Sequence, residues 1–438
     1  MRFLNTLGLM LGGAFLFSSS SLAGDWPRFL GPNHDSKVDP ADAQGFWPEG
    51  GLRKQWEFPK GKGWACPAVV ENKVFVFHRV GSREILDCLE ASSGRVLWNF
   101  GYEAPYRDRF GGGDGPRTSP VVYGSSVSVF GVTGRLHCLD VESGRVVWER
   151  DLAKEYGMAE NFFGHGSTPL WVGGSLIVPV GGSGNRCVVA LDGASGSERW
   201  VTSHEWGAGY ASAVPARIAI GGELRDLALV FTGGESRPPT GGLLCIDASN
   251  GKLLGQVSHR AKIAESVNAA SPVVMGRRVF TTEGYGSGGI LSEIGEDGAL
   301  RVVWRTSKLG SQFATPVGRD GLILGFDGQS SQLAELVCLD AGTGEEKWRE
   351  DFGGRFGRGS LVDLGAGGLV ALGEFGELVR MRIRPEGAEV LQRTRVFEAP
   401  ESWTVPVIAG RRLYLSQNER GRDGSSPRVI CYKFEAAK

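Results

Sequence analysis

Eight residues, Trp64, Arg117, His165, Tyr210, Asn268, Gln312, Arg358 and Trp403, each stand two or three positions ahead of a recurring step, Ser/Thr-Pro or a near variant of it. Their types suit recognition. A guanidinium grips a carboxylate with two parallel hydrogen bonds. An aromatic face stacks on a flat or sugar-like ring, and the amides of Asn268 and Gln312 supply donors and acceptors. Together they would suit a planar, anionic or sugar-like ligand. His165 is the residue best suited to proton transfer, because imidazole titrates near neutral pH and the chain has only 6 His. A plainer account is that loops meeting water are polar because their backbone groups must be satisfied.

Other chemistry is thinly provided for. There is no Walker A sequence, no HExxH and no CxxCH. Gly164-His165-Gly166-Ser167-Thr168 is not a GxSxG elbow. No Cys/His cluster has zinc spacing. Asp25, Asn33 and Asp35 lie close together but not at EF-hand spacing. Arg107-Asp108-Arg109, ahead of Phe110 and the Gly111–Gly113 run, reads as a mobile charged loop. Glu283 and Tyr285 among Gly284, Gly286, Gly288 and Gly289 read as a flexible hairpin. No catalytic residue and no metal ligand is assigned.

The elements that carry these loops are set by a repeat. Its openings are Cys66-Pro67, Ser119-Pro120, Thr168-Pro169, Ser212-Ala213, Ser271-Pro272, Thr315-Pro316, Ser360-Leu361 and Val405-Pro406, a spacing of roughly 48 residues, within the range of propeller blades. Each opening leads into a short strand, with Pro acceptable at the first residue. A Gly- or Asn-containing hairpin (Glu71-Asn72, Gly124-Ser125, Gly173-Gly174, Gly276-Arg277) and an apolar strand such as Lys73–Phe77 or Leu176–Val180 follow. A third strand ends in Leu-Asp or a variant. An Asp-x-x-x-Gly turn then leads to a fourth strand ending in Trp, as at Trp98, Trp148, Trp200, Trp304 and Trp348. The Asp caps the turn and the Gly takes a positive φ. The Trp is expected between neighbouring blades.

Four strands per unit, repeated radially, predict an all-β, eight-bladed propeller of antiparallel blades. Seven is the alternative count, because the units at 355–396 and 402–434 are degenerate. The last unit, with Thr404–Gln417 and Arg428–Phe434, lacks a fourth strand. Leu52–Phe58, with Trp56, is expected to supply it and close the ring, which removes exposed edges. Residues 52–438 then form the propeller, and 24–51 an arm lying over the first or last blade.

Composition agrees. Glycine is 68 of 438 residues, too many for a helical protein and natural for tight turns. The net charge of -1 argues against a nucleic-acid binder. Residues 1–23 have the Arg2, apolar-run and Ser21-Leu22-Ala23 pattern of a signal peptide. No later run is long enough to span a bilayer. The mature chain is therefore expected in the periplasm or outside the cell, with no transmembrane segment, as a monomer. Cys88, Cys138, Cys187, Cys245, Cys338 and Cys431 recur at strand positions of their repeats and read as small buried fillers, not a disulfide framework.

The LDxxxGxxxW repeat, with Trp26-Pro27-Arg28-Phe29-Leu30-Gly31-Pro32-Asn33 near the start, resembles the quinoprotein, or PQQ-like, propeller repeat. The resemblance spans nearly the whole chain after residue 23. It implies the propeller fold, and it is shared by quinoprotein alcohol and glucose dehydrogenases and by a propeller lipoprotein of outer-membrane barrel assembly. The dehydrogenases imply pyrroloquinoline quinone with calcium, a Cys-Cys pair, and Glu, Asn and Asp around the ion. Here there is no Cys-Cys, and Glu265, Asn268 and Asp327 sit in no motif that gives them those roles. The lipoprotein implies a lipobox Cys, also missing. The resulting expectation is a non-catalytic propeller that binds a protein or carbohydrate at its face. A PQQ-dependent oxidoreductase acting on an alcohol or sugar is the alternative.

Overall fold

The structure, a computed structural model, describes residues 24–434 except 109, 112, 354 and 355. The proposed signal peptide lies outside the described residues. Eight four-stranded antiparallel sheets stand around a central axis. The first blade comprises Ala68–Val70, Lys73–Val80, Arg83–Glu90 and Val96–Glu103. The eighth comprises Val407–Ala409, Arg412–Gln417 and Arg428–Lys433, with Arg53–Pro59 as its outermost strand. Trp56 pairs there with Cys431 and Glu57 with Ile430. The eight-blade count and the closing N-terminal strand are as expected. The opening prolines sit immediately before their strands instead of inside them, so no ladder hydrogen bond is lost.

Seven apolar clusters lie between neighbouring sheets. The Asp-x-x-x-Gly turns and the tryptophans are two halves of one joint. The indole Nε1 of Trp98 donates to the Val141 carbonyl of the next blade at 3.0 Å. Trp148 donates to Gly193 at 2.9 Å and Trp200 to Ala248 at 3.1 Å. Trp304 repeats the contact on Ala341 at 3.2 Å, and Trp56 closes the circle on Ala91 at 2.9 Å. Each acceptor follows the turn's acidic residue. The turn's glycine lies flat under the same indole: a Cβ on Gly196 would sit 2.7 Å from the Trp148 ring, and Gly196 has φ +71. Glycine is thus required twice over, by conformation and by contact. Cysteine belongs to the same joint. Cys88, Cys138 and Cys338 pair directly across from Trp98, Trp148 and Trp348, where a small apolar side chain leaves room for the ring. All seven cysteines are buried free thiols.

The segment 24–51 does more than lie on one blade. Trp26 exchanges backbone hydrogen bonds with Val69 of the first blade, and Pro27 accepts from Val122 of the second. Leu30 and His34 reach Thr168 and Ala213 of the third and fourth blades. Val38 then bonds to Asp363 of the seventh, and Gln392 donates to Trp47. The arm therefore crosses the axis. Phe29 and Leu30 stand beside Thr168, at the start of an inner strand, whereas Val38 bonds at the far end of another, to Asp363.

Candidate functional site

The loops before the inner strands converge because their strands are laced together. Ser119 Oγ accepts from the Cys66 N–H at 3.0 Å, Thr168 Oγ1 from Ser119 at 3.1 Å, and Ser212 Oγ from Thr168 at 3.0 Å. Ser271 and Thr315 continue the pattern at 3.1 and 3.0 Å. Cys66 Sγ takes the hydroxyl's place for Val405 N–H at 3.2 Å. Each hydroxyl satisfies a backbone donor that no sheet can reach. This girdle accounts for Ser and Thr ahead of the prolines and fixes the radial position of the loops it joins.

Inside the loops lies a cavity of about 310 Å³, lined by Trp64, Arg117, Phe163, Tyr210, Phe313, Glu401 and Trp403 among others, with Phe29 of the arm closing it from beneath. Trp64 stacks on Trp403 at 4.6 Å between centroids, and Phe313 on Trp403 at 4.2 Å. The Tyr210 hydroxyl accepts from Phe163 N–H at 2.8 Å.

Of the eight loop residues, Trp64, Arg117, Tyr210 and Trp403 line this cavity. Gln312 and Arg358 stand behind the wall. Arg358 donates to Gln312 Oε1 at 2.7 Å and covers the rings of Phe313 and Trp403 at 4.9 and 5.2 Å. Asn268 is fully buried and donates to the Thr232 carbonyl at 2.9 Å. His165 is buried beside Phe130, and burial lowers its pKa to about 4. The imidazole is neutral at neutral pH and, unlike its neighbour Gly166, does not line the cavity.

Neither arginine is free to meet an anion. Arg117 is bound to Asp108 at 2.8 Å and to the Gly113 carbonyl at 2.8 Å. Arg358 clamps Glu374, a buried carboxylate that also accepts from Trp403 Nε1 at 3.0 Å and from Arg358 N–H at 3.0 Å. Charge-assisted bonds of this kind are the strong ones. They fix the aromatic walls and spend both cations. Glu401 differs: among the described residues it makes no hydrogen bond and no ion pair. Burial, with the nearby charge of Glu374, raises its pKa against the opposing pull of the Arg358 guanidinium.

The remaining candidates are occupied by the fold. Glu265 pairs with Arg237 at 2.6 Å, and Asp327 with Arg349 at 2.9 Å. Asp25 accepts from Glu71 N–H, and Asp35 from Lys37 N–H. Glu283, read from sequence as part of a flexible hairpin, is fully buried and ion-paired to Arg260 at 2.6 Å. Among the described residues no three His, Cys, Asp or Glu side chains are grouped to hold a metal ion.

Sequence reasoning chose one residue per loop and missed Phe163, Phe313 and Glu401, which stand one or two positions away in the same loops. Their signal was position alone. Phe29 and Glu374 had none, because neither lies in those loops.

A model of the family described as outer membrane protein assembly factor BamB matches residues 82–350. No curated protein matches the chain. Among solved structures, BamB from Moraxella catarrhalis superposes with a TM-score of 0.58 at 16% identity, over 88% of this chain and 99% of that one. The quinohemoprotein alcohol dehydrogenase ADHIIG from Pseudomonas putida HK5 gives 0.51 at 12% identity, over 95% and 81%. The computationally designed Ika8 protein gives 0.57 at 11% identity, over 87% and 100%. At such identities these likenesses speak to the fold alone.

Proposed function

The chain belongs to the family of the outer membrane protein assembly factor BamB, and on that footing we propose that it is a non-catalytic binding propeller that receives part of a protein or carbohydrate partner in its aromatic channel mouth. The observation that carries this reading is the cavity itself. Its walls are stacked rings, and both of its arginines are engaged internally. Aromatic anchors held rigid in a concave site are the common currency of recognition. No side chain lining it forms a nucleophile–base pair of the kind covalent catalysis needs.

The donor set supports this reading over a quinone enzyme. Pyrroloquinoline quinone is a tricarboxylate, and binding it calls for positive charge from side chains or a metal ion. Among the described residues Arg117 and Arg358 are already paired, and the carboxylate of Glu401 would repel it. These residues do not fit that cofactor. The family name carries an outer-membrane address, in line with the leader-like residues 1–23, and no helix among the described residues is long and apolar enough to cross a membrane.

The test is tryptophan emission of the purified chain, titrated with neutral oligosaccharides, with short peptides, and with pyrroloquinoline quinone plus calcium. Saturable quenching by a saccharide or peptide, lost in Trp403→Ala, is the expected result. Saturable one-to-one binding of the quinone would overturn the reading.

A further inference from the structure

The charge balance of the cavity points to a class of ligand. Arg117 is neutralised by Asp108, and Arg358 by Glu374. Among the described residues, what remains in the wall is the carboxylate of Glu401, beside Trp64, Phe313 and Trp403. At the rim the mostly buried Glu419 lies 3.8 Å from the exposed Lys62, a loose pair that adds no net positive charge. A half-buried carboxylate without a partner is costly unless something brings it a counter-charge. Aromatic faces favour a cation for a second, independent reason, the negative quadrupole of their rings. Two of these rings already hold one: the Arg358 guanidinium lies 4.9 Å from Phe313 and 5.2 Å from Trp403. A volume of about 310 Å³ accommodates a compact head group.

We propose that this cavity is a receptor for an alkylammonium group, held by the aromatic walls with Glu401 as its counter-ion. The proposal rests on the binding reading above and gives that reading a ligand class. It replaces the anionic ligand that the two arginines suggest in the sequence. The ammonium arrives either on a free small amine or on a lysine side chain of a peptide, and the chemistry at Glu401 is the same for both.

The experiment is calorimetric titration of the full chain with two matched pairs of probes. Choline is compared with 3,3-dimethylbutan-1-ol, its uncharged carbon isostere, and a short lysine peptide with the same peptide acetylated on the lysine amine. The expected result is that at least one charged probe binds about tenfold or more tightly than its neutral match. Glu401→Gln should abolish that preference without lowering the melting temperature, whereas Trp403→Ala weakens both members of the pair. Preference for choline identifies a small amine as the source, and preference for the lysine peptide identifies a protein. Equal binding of charged and neutral probes would overturn the ammonium proposal and leave the binding reading standing. Binding of none of these probes, together with no response to the neutral saccharides and peptides above, would overturn both.

Discussion

His165 and His259 are buried imidazoles, and for both burial lowers the pKa from 6.5 to about 4. His259 is tied to Thr281 by a 2.8 Å hydrogen bond. The folded protein keeps both rings neutral over a range where the unfolded chain protonates them. Their contribution to stability is therefore complete above about pH 6.5 and is lost as pH falls toward 4, by up to about 1.4 kcal/mol per pH unit for each ring. Urea unfolding at pH 7, 6 and 5 should show stability falling across this window, and His165→Asn should flatten the slope by the share of one proton. An unchanged slope in that variant would mean that His165 takes up its proton without unfolding. Glu374 illustrates a different residue-scale point. It caps one wall through Arg358 and Trp403 without itself lining the cavity, and nothing in its sequence neighbourhood marks it.

At the scale of the element, the joint between an indole and the next blade's turn is the unit that repeats. Gly196→Ala puts a Cβ 2.7 Å from the Trp148 ring and forces alanine to φ +71. The expected cost is about 1–3 kcal/mol, with a shift in tryptophan emission, read from a urea titration followed by fluorescence. Gly124, also at positive φ but with nothing near its Cβ position, is the comparison: Gly124→Ala should cost less and leave emission unchanged. Local periodicity made this element legible in the sequence. The Trp, the Gly and the Asp recur at fixed offsets, so strand order and blade count could be read from spacing. What the Trp touches could not be read, since the partner lies some 45 residues away, as for Trp148 and Gly193. The same limit applied to the cavity. The loops were located by the repeat, but which side chain of each loop turns inward depends on backbone geometry that spacing does not carry. The pairing of Arg117 with Asp108, nine residues apart in a loop without a motif, had no signature either.

For the whole molecule, the two jobs of the N-terminal segment can be separated. Residues 53–59 complete the eighth blade, and residues 24–51 cross the axis and bury Trp26, Leu30, Val38, Phe46 and Trp47. A chain beginning at Leu52 should still close its ring and keep the oligomeric state of the full chain in size-exclusion chromatography, with a lower melting temperature from the apolar surface it exposes. A chain beginning at Lys60 should leave the strand Arg428–Lys433 as a bare edge and self-associate. Identical behaviour of the two chains would mean that closure does not depend on that strand.

The pairing of Arg53–Pro59 with Arg428–Lys433 also sets a timetable. The first strand of the propeller to leave the ribosome is partnered by the propeller's last. For the whole of synthesis, Trp56 and its strand must wait unpaired while seven blades are assembled from nearby hairpins, each made of neighbours in sequence. Among the strand pairings this final one has the longest separation and carries the greatest loop-closure entropy. The circle is thus drawn in order and sealed at one seam. A nascent chain that stalls anywhere before residue 428 presents the unpaired first half of that seam, Arg53–Pro59, to its neighbours.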